Sequence, residues 1–138
     1  MGRHVLFVDD DVHIGRLIQD LLQQNGYQVT VAKNGKACLE IVRVQPPDLV
    51  ILDIMMPGMD GFEVCRELRR ETTMQQIPVL MLTAMEDPKL NARAFAAGAE
   101  LCMTKPFRAE KLLSAVHLAL QNAARKRSPV EKNAPREA

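Results

Sequence analysis

Five short apolar runs, at 5–8, 29–32, 49–52, 79–82 and 101–103, punctuate the chain at intervals that leave room for one helix between each pair. Thr30 aside, the runs are uninterrupted and together rich in Val, Leu and Ile, as expected of strands covered on both faces in a parallel sheet. The intervening stretches carry helical spacing. Ile14, Leu17, Ile18, Leu21 and Leu22 recur on one face, with Gly26 placed to close that helix. Ala37, Cys38, Ile41 and Val42 mark a second helix, which Pro46-Pro47 should stop. Phe62, Cys65 and Leu68 mark a third, with Asp60 as N-cap. A fourth, over about 90–97, is alanine-rich with a thin apolar stripe and ends at Gly98, so it is expected to pack least firmly. Leu112, Leu113, Val116, Ala119 and Leu120 define a fifth.

This alternation predicts an α/β fold: a doubly wound, flavodoxin-like, five-stranded parallel sheet in the order 2-1-3-4-5, flanked by five helices. The order bears on function. Ligands bind beyond the carboxyl ends of the strands, where the winding reverses between the first and third. The residues just after Val8 and Leu52 are aspartates.

Asp9, Asp10 and Asp11 end the first run and Asp53 ends the third, so several carboxylates converge. Two carboxylates ~4 Å apart repel by roughly 4 kcal/mol at an effective dielectric of 20. A shared proton or a cation relieves this, and hard oxygen ligands in a small half-open site favour Mg²⁺. Helix capping accounts for one of them, Asp11. It does not account for three in a row with a fourth on the adjacent strand. Thr83 and Lys105 follow the fourth and fifth runs on the same edge. A lone Thr or Lys in a loop carries no signal, but together these positions supply a carboxylate nucleophile, metal-binding carboxylates, a hydroxyl donor and a fixed cation. Phosphoryl transfer onto Asp53 needs its charge neutralised, which Mg²⁺ and Lys105 would do.

The remaining composition narrows the alternatives. The 138 residues fit one domain, and 47% hydrophobic content supports a core without staples. A formal net charge of +1 provides no global field for nucleic acid or membrane, and four Phe, one Tyr and no Trp are a poor set for stacking bases. Cys38, Cys65 and Cys102 are scattered and odd in number, so buried reduced thiols are expected rather than a disulfide framework or zinc site. His4, His13 and His117 are isolated. No apolar run approaches the ~20 residues of a bilayer span, and a soluble cytoplasmic protein is expected. Residues 1–124 read as the folded domain. Residues 125–138 lack an apolar period and read as a flexible tail or linker stub, with Arg125-Lys126-Arg127 as a helix C-terminal charge cluster.

Four motifs, Val8-Asp9-Asp10-Asp11, Leu52-Asp53-Ile54-Met55-Met56-Pro57-Gly58-Met59-Asp60-Gly61, Leu82-Thr83-Ala84 and Thr104-Lys105-Pro106-Phe107, occur in this order. Together they make residues 3–121 resemble the receiver domain of bacterial two-component response regulators, with the chemotaxis-response-regulator fold. The resemblance implies Asp53 as phosphoacceptor, Asp10 as direct metal ligand, Asp9 as a ligand mostly through water, and the backbone carbonyl of Met55 completing the shell around Mg²⁺. It implies that Thr83 and the Ala84 amide bind phosphoryl oxygens, that Lys105 pairs with the phosphoryl group, and that the bond to Pro106 is cis. It further implies a sensor histidine kinase or histidine phosphotransfer protein as donor, and a downstream effector or an output domain beyond this chain as recipient. The molecule would be a switch, not a metabolic enzyme, working as a monomer or a phosphorylation-dependent dimer.

The chain departs from its relatives at three places. Cys102 stands where an aromatic residue is usual, which shifts the expected switching movement to the loop after Thr83 and the fourth helix. Arg93, Glu100 and Lys111 are available for charged dimer pairs, but the segment Ser114-Ala115-Val116-His117 lacks the usual arginines. Met55 and Met85 flank the expected water path and cannot orient an attacking water, so self-dephosphorylation should take minutes to hours; Met85 also reads as core filler. Two other readings remain. A haloacid-dehalogenase-type phosphatase would need its nucleophile at Asp9, but the pattern Asp9-x-Asp11-x-His13 ends in histidine where threonine or valine is expected. A docking module that never uses phosphate is the other. A flavin protein is disfavoured because no Ser/Thr/Gly-rich phosphate loop follows the first run.

Overall fold

The computed structural model describes residues 2–71 and 74–127. Its elements run β1 (His4–Val8), α1 (Val12–Gln24), β2 (Gln28–Ala32), α2 (Gly35–Val44), β3 (Leu49–Leu52), α3 (Gly61–Arg70), β4 (Val79–Thr83), α4 (Leu90–Ala97), β5 (Leu101–Thr104) and α5 (Ala109–Arg127). All strand pairs are parallel and the sheet order is β2-β1-β3-β4-β5, as the alternation predicts.

Each strand feeds both layers because successive side chains point to opposite faces. Leu6, Val8, Val50, Leu52, Val79 and Met81 pack under α2, α3 and α4 against Val42, Val64, Leu68 and Ala94. Val5, Phe7, Leu49, Ile51, Leu80 and Leu82 pack against Ile18 and Leu22 of α1 and Leu112 and Val116 of α5. The strands are one residue longer than most of the apolar runs. His4 pairs with Gln28 and Thr83 with Thr104, since backbone ladders continue past the point where side chains turn polar.

Helix ends follow the local chemistry. The Asp11 carboxylate accepts the His13 and Ile14 amides at the start of α1. Asp60 and Glu63 cap α3 reciprocally, a capping box absent from the sequence-based reading of Asp60 alone. α4 has no side-chain cap at Lys89, but Gly98 closes it at φ 106°, a left-handed conformation that favours glycine. α5 continues to Arg127, so Arg125, Lys126 and Arg127 lie in its last turn. Residues 128–138, the rest of the expected tail, lie outside the described residues. Cys38 and Cys65 are buried, and burial pushes their thiols up to about 12 and about 11. Cys102 is only half-buried, because β5 is the sheet edge.

Candidate functional site

Two registers assemble the site. Val8 is level with Leu52 across the β1–β3 ladder, so Asp9 and Asp53 leave the sheet side by side. Thr83 is level with Thr104 across β4–β5, and the Lys105 amide donates to the Thr83 carbonyl at 2.8 Å. One oxygen each from Asp9, Asp10 and Asp53 lies within 4.8 Å of the other two, which brings together the three side chains expected to hold a metal. No histidine joins that group among the described residues. The oxygen-only donor set in a partly open site suits a small hard cation.

Asp9 is buried, and both its oxygens are engaged: one accepts the Asp11 amide at 2.9 Å, the other the Lys105 ammonium at 2.8 Å. Asp53 is 6% exposed. One of its oxygens accepts the Met55 amide at 3.2 Å, and the other lies 3.7 Å from Lys105 Nζ. Burial, with the nearby Asp9 charge, raises the Asp53 carboxyl above its usual range against the pull of Lys105. Burial works to lower Lys105, but its hydrogen bond to Asp9 and the charges of Asp53 and Asp9 outweigh that and hold the ammonium above its usual value. The Lys105–Pro106 bond is cis.

Thr83 is fully buried, and its hydroxyl oxygen accepts the Met85 amide at 3.2 Å, leaving its proton to donate elsewhere. Ala84 follows it at the surface. Met55 is more than half exposed, whereas Met85 packs against the core, in keeping with the filler reading of that residue. Gly61, the last residue of the Asp53 motif, is required sterically. A Cβ there would sit 2.6 Å from the Asp53 carbonyl oxygen, so α3 starts pressed against the backbone that carries Asp53.

The Lys105–Asp9 pair escaped sequence reading, since nothing local links residues 96 positions apart. The same holds for two charges expected to face a partner. Glu100 accepts from Arg69 and from the Val79 amide, and Arg93 pairs with Asp87 and lies 4.4 Å above the Phe62 ring. Both are engaged within the chain.

A family model for the response regulator receiver domain matches residues 5–117. The response regulator MprA of Mycolicibacterium vanbaalenii is 38% identical over 121 residues, covering 88% of this chain and 52% of that protein. The alkaline phosphatase synthesis transcriptional regulatory protein PhoP of Bacillus subtilis is 40% identical over 107 residues, covering 78% of this chain and 44% of that one. The chain spans about half the length of these relatives. Among solved structures, the chemotaxis protein CheY4 of Vibrio cholerae superposes with a TM-score of 0.82 at 33% identity, covering 86% of this chain and 99% of the other.

Proposed function

Because the chain belongs to the response regulator receiver domain family, we propose that it is a phosphorylation-activated switch that accepts a phosphoryl group on Asp53. The observation that carries this reading is the buried Asp53 carboxylate, set beside Asp9 and Asp10 with the Lys105 ammonium 3.7 Å away. An Asp53 oxygen attacks the phosphorus of a phosphohistidine on a sensor kinase or phosphotransfer protein. The new P–O bond forms as the P–N bond breaks, and the departing imidazole takes up a proton.

Asp10 and Asp53, with Asp9 through water and the Met55 carbonyl, would hold Mg²⁺. The bound ion supplies charge neutralisation for Asp53 and the incoming phosphoryl oxygens. Lys105 swings its ammonium from Asp9 towards the phosphoryl group, Thr83 donates its hydroxyl proton to a phosphoryl oxygen, and the Ala84 amide donates beside it. Asp53 must be ionised to attack. Burial and the Asp9 charge raise its proton affinity, and a divalent cation beside it would favour the carboxylate.

A dehalogenase-type phosphatase is disfavoured by Asp9. Its two oxygens are held by Lys105 and the Asp11 amide, which suits a ligand-positioning group rather than a free nucleophile. The molecule acts as a switch, with phosphotransfer and slow loss of its own acyl phosphate as its only chemistry. The receiver unit takes in α5, which runs through Arg127, three residues past the boundary expected at 124. The recipient is an output domain or a separate effector, in the cytoplasm, with no direct nucleic-acid contact by this unit. No helix among the described residues is long and apolar enough to cross a membrane. The intramolecular use of Arg93 and Glu100 favours a monomer over a dimer built on those charges.

Incubation with acetyl phosphate and Mg²⁺, followed by intact mass measurement, tests the reading. One phosphoryl adduct is expected, absent from Asp53→Ala and absent when the metal is chelated. An adduct that persists in Asp53→Ala would contradict the assignment. Exchanging Met55 for Asn and Met85 for Glu should shorten the adduct's lifetime roughly tenfold by giving an attacking water polar partners; an unchanged lifetime would remove the water-path argument.

A further inference from the structure

Arg93 closes a mechanical ring around the site. Its guanidinium lies 4.4 Å above the ring of Phe62, the residue after Gly61, and Gly61 is pressed against the Asp53 backbone. Its Nη1 also donates to Asp87 at 2.7 Å. Asp87 holds the β4–α4 loop: its second carboxylate oxygen accepts the Lys89 amide at 2.8 Å and its carbonyl accepts the Leu90 amide at 3.0 Å. The other end of that loop is tied to Thr83, whose hydroxyl oxygen accepts the Met85 amide. One side chain thus connects the element behind Asp53 to the loop behind Thr83.

We propose that Arg93 is a positioning residue that latches the β4–α4 loop in its unphosphorylated arrangement and so sets how readily the site is switched. The proposal rests on Asp53 being the phosphoacceptor. When Thr83 turns its hydroxyl towards a phosphoryl oxygen, the Met85 amide must follow or lose its partner. The loop between Thr83 and α4 is short, so the displacement reaches Asp87. α4 has no side-chain cap of its own at Lys89, and its buried residues are Leu90, Ala94 and Ala97. Besides the local bonds of Asp87 to the Lys89 and Leu90 amides, the Arg93 bridge is the polar contact that ties this end of α4 to Phe62 of α3. Arg69 holds the opposite end, with two hydrogen bonds to the Gly98 carbonyl at 3.0 and 2.7 Å. Releasing Arg93 frees the loop while the C-terminal end of α4 stays fixed. The Arg93–Asp87 pair is half exposed on the arginine side, a setting in which an ion pair is weak and screened by salt. A restraint of that size biases a switch without locking it.

The test is titration of the full 138-residue chain with beryllium fluoride, a phosphoryl mimic, in the presence of Mg²⁺, followed by NMR or calorimetry. Arg93→Ala should bind the mimic about three- to fivefold more tightly than wild type, the range expected for losing an exposed ion pair and a cation–π contact from one state only. Asp87→Asn should shift affinity in the same direction, and the double variant should fall short of the summed effects. Arg93→Lys keeps a cation over Phe62 and within reach of Asp87, and should restore most of the wild-type value. In 1 M NaCl the gap between wild type and Arg93→Ala should narrow. A merely structural role would lower the unfolding midpoint of Arg93→Ala while leaving affinity equal or weaker, and that result overturns the latch. Failure of wild type itself to bind the mimic would instead overturn the phosphoacceptor reading, and the latch with it.

Discussion

The two ends of the sheet treat charge in opposite ways. At the amino end, Arg69 donates to the carbonyls of Gln75, Ile77 and Gly98 and to Glu100, and Glu100 in turn accepts the Val79 amide. Asp48 likewise accepts the His4 amide, and the His4 ring meets the Thr30 hydroxyl. At the carboxyl end, the Asp9, Asp10 and Asp53 carboxylates crowd together, the Lys105 ammonium faces Asp9 and Asp53, and burial raises the Asp53 carboxyl above its usual range. One end spends its polar groups on holding β4, β5 and α4 together. The other gathers carboxylates at one point, which suits the proposed cation and phosphoryl group. The contrast separates stability from function by position along the same strands.

The largest expected effect tests that separation. Asp53→Ala should lose phosphoryl acceptance entirely while folding normally, whereas Arg69→Ala should keep the adduct wherever it remains folded. If Arg69→Ala abolished phosphorylation in folded protein, the two ends would not be separable. Next in size, denaturant unfolding of Arg69→Ala should show a loss of about 3 kcal/mol, because the variant strands the partly buried Glu100 and several carbonyls. A loss near zero would mean water replaces the guanidinium freely.

A smaller effect of opposite sign is expected at the other end. In metal-free buffer Asp53→Asn should gain about 1 kcal/mol by removing a repelled, buried charge, and adding Mg²⁺ should erase the difference by stabilising wild type alone. The sign follows from proton linkage. Asp53 holds its proton more tightly folded than unfolded, so the native state binds more protons in the window above the ordinary value of 3.8. Metal-free stability therefore falls as pH rises through that window, and the asparagine variant should lack that slope. The smallest effect lies away from both ends. Glu71→Gln, which breaks the exposed ion pair with Arg43, should cost about 0.5 kcal/mol or less.

Much of the site was legible because its parts sit at strand ends. Asp9 follows Val8 and Asp53 follows Leu52, and once β1 and β3 are neighbours the two carboxylates must meet. Asp11 was legible as a cap because capping is local, acting on amides two and three residues ahead. The roles of Arg69, Arg93 and Glu100 were not legible. Their partners lie 29 to 31 residues away for Arg69 to Gly98 and Glu100, and on another helix for Arg93 to Phe62. Periodicity carries no information about where a long, charged side chain comes to rest.

By itself, the order of apolar runs and helical stretches determined the layers, the strand order and the edge on which chemistry collects. Those depend on side-chain hydrophobicity repeating every two or about 3.6 residues and on the right-handedness of parallel crossovers, both of which are written along the chain. Tertiary packing alone decided that Lys105 rests on Asp9, that Asp53 resists losing its proton, and that Arg93 joins Phe62 to Asp87. These outcomes reflect distance and desolvation at the ångström scale, which exist only once separate segments are brought together.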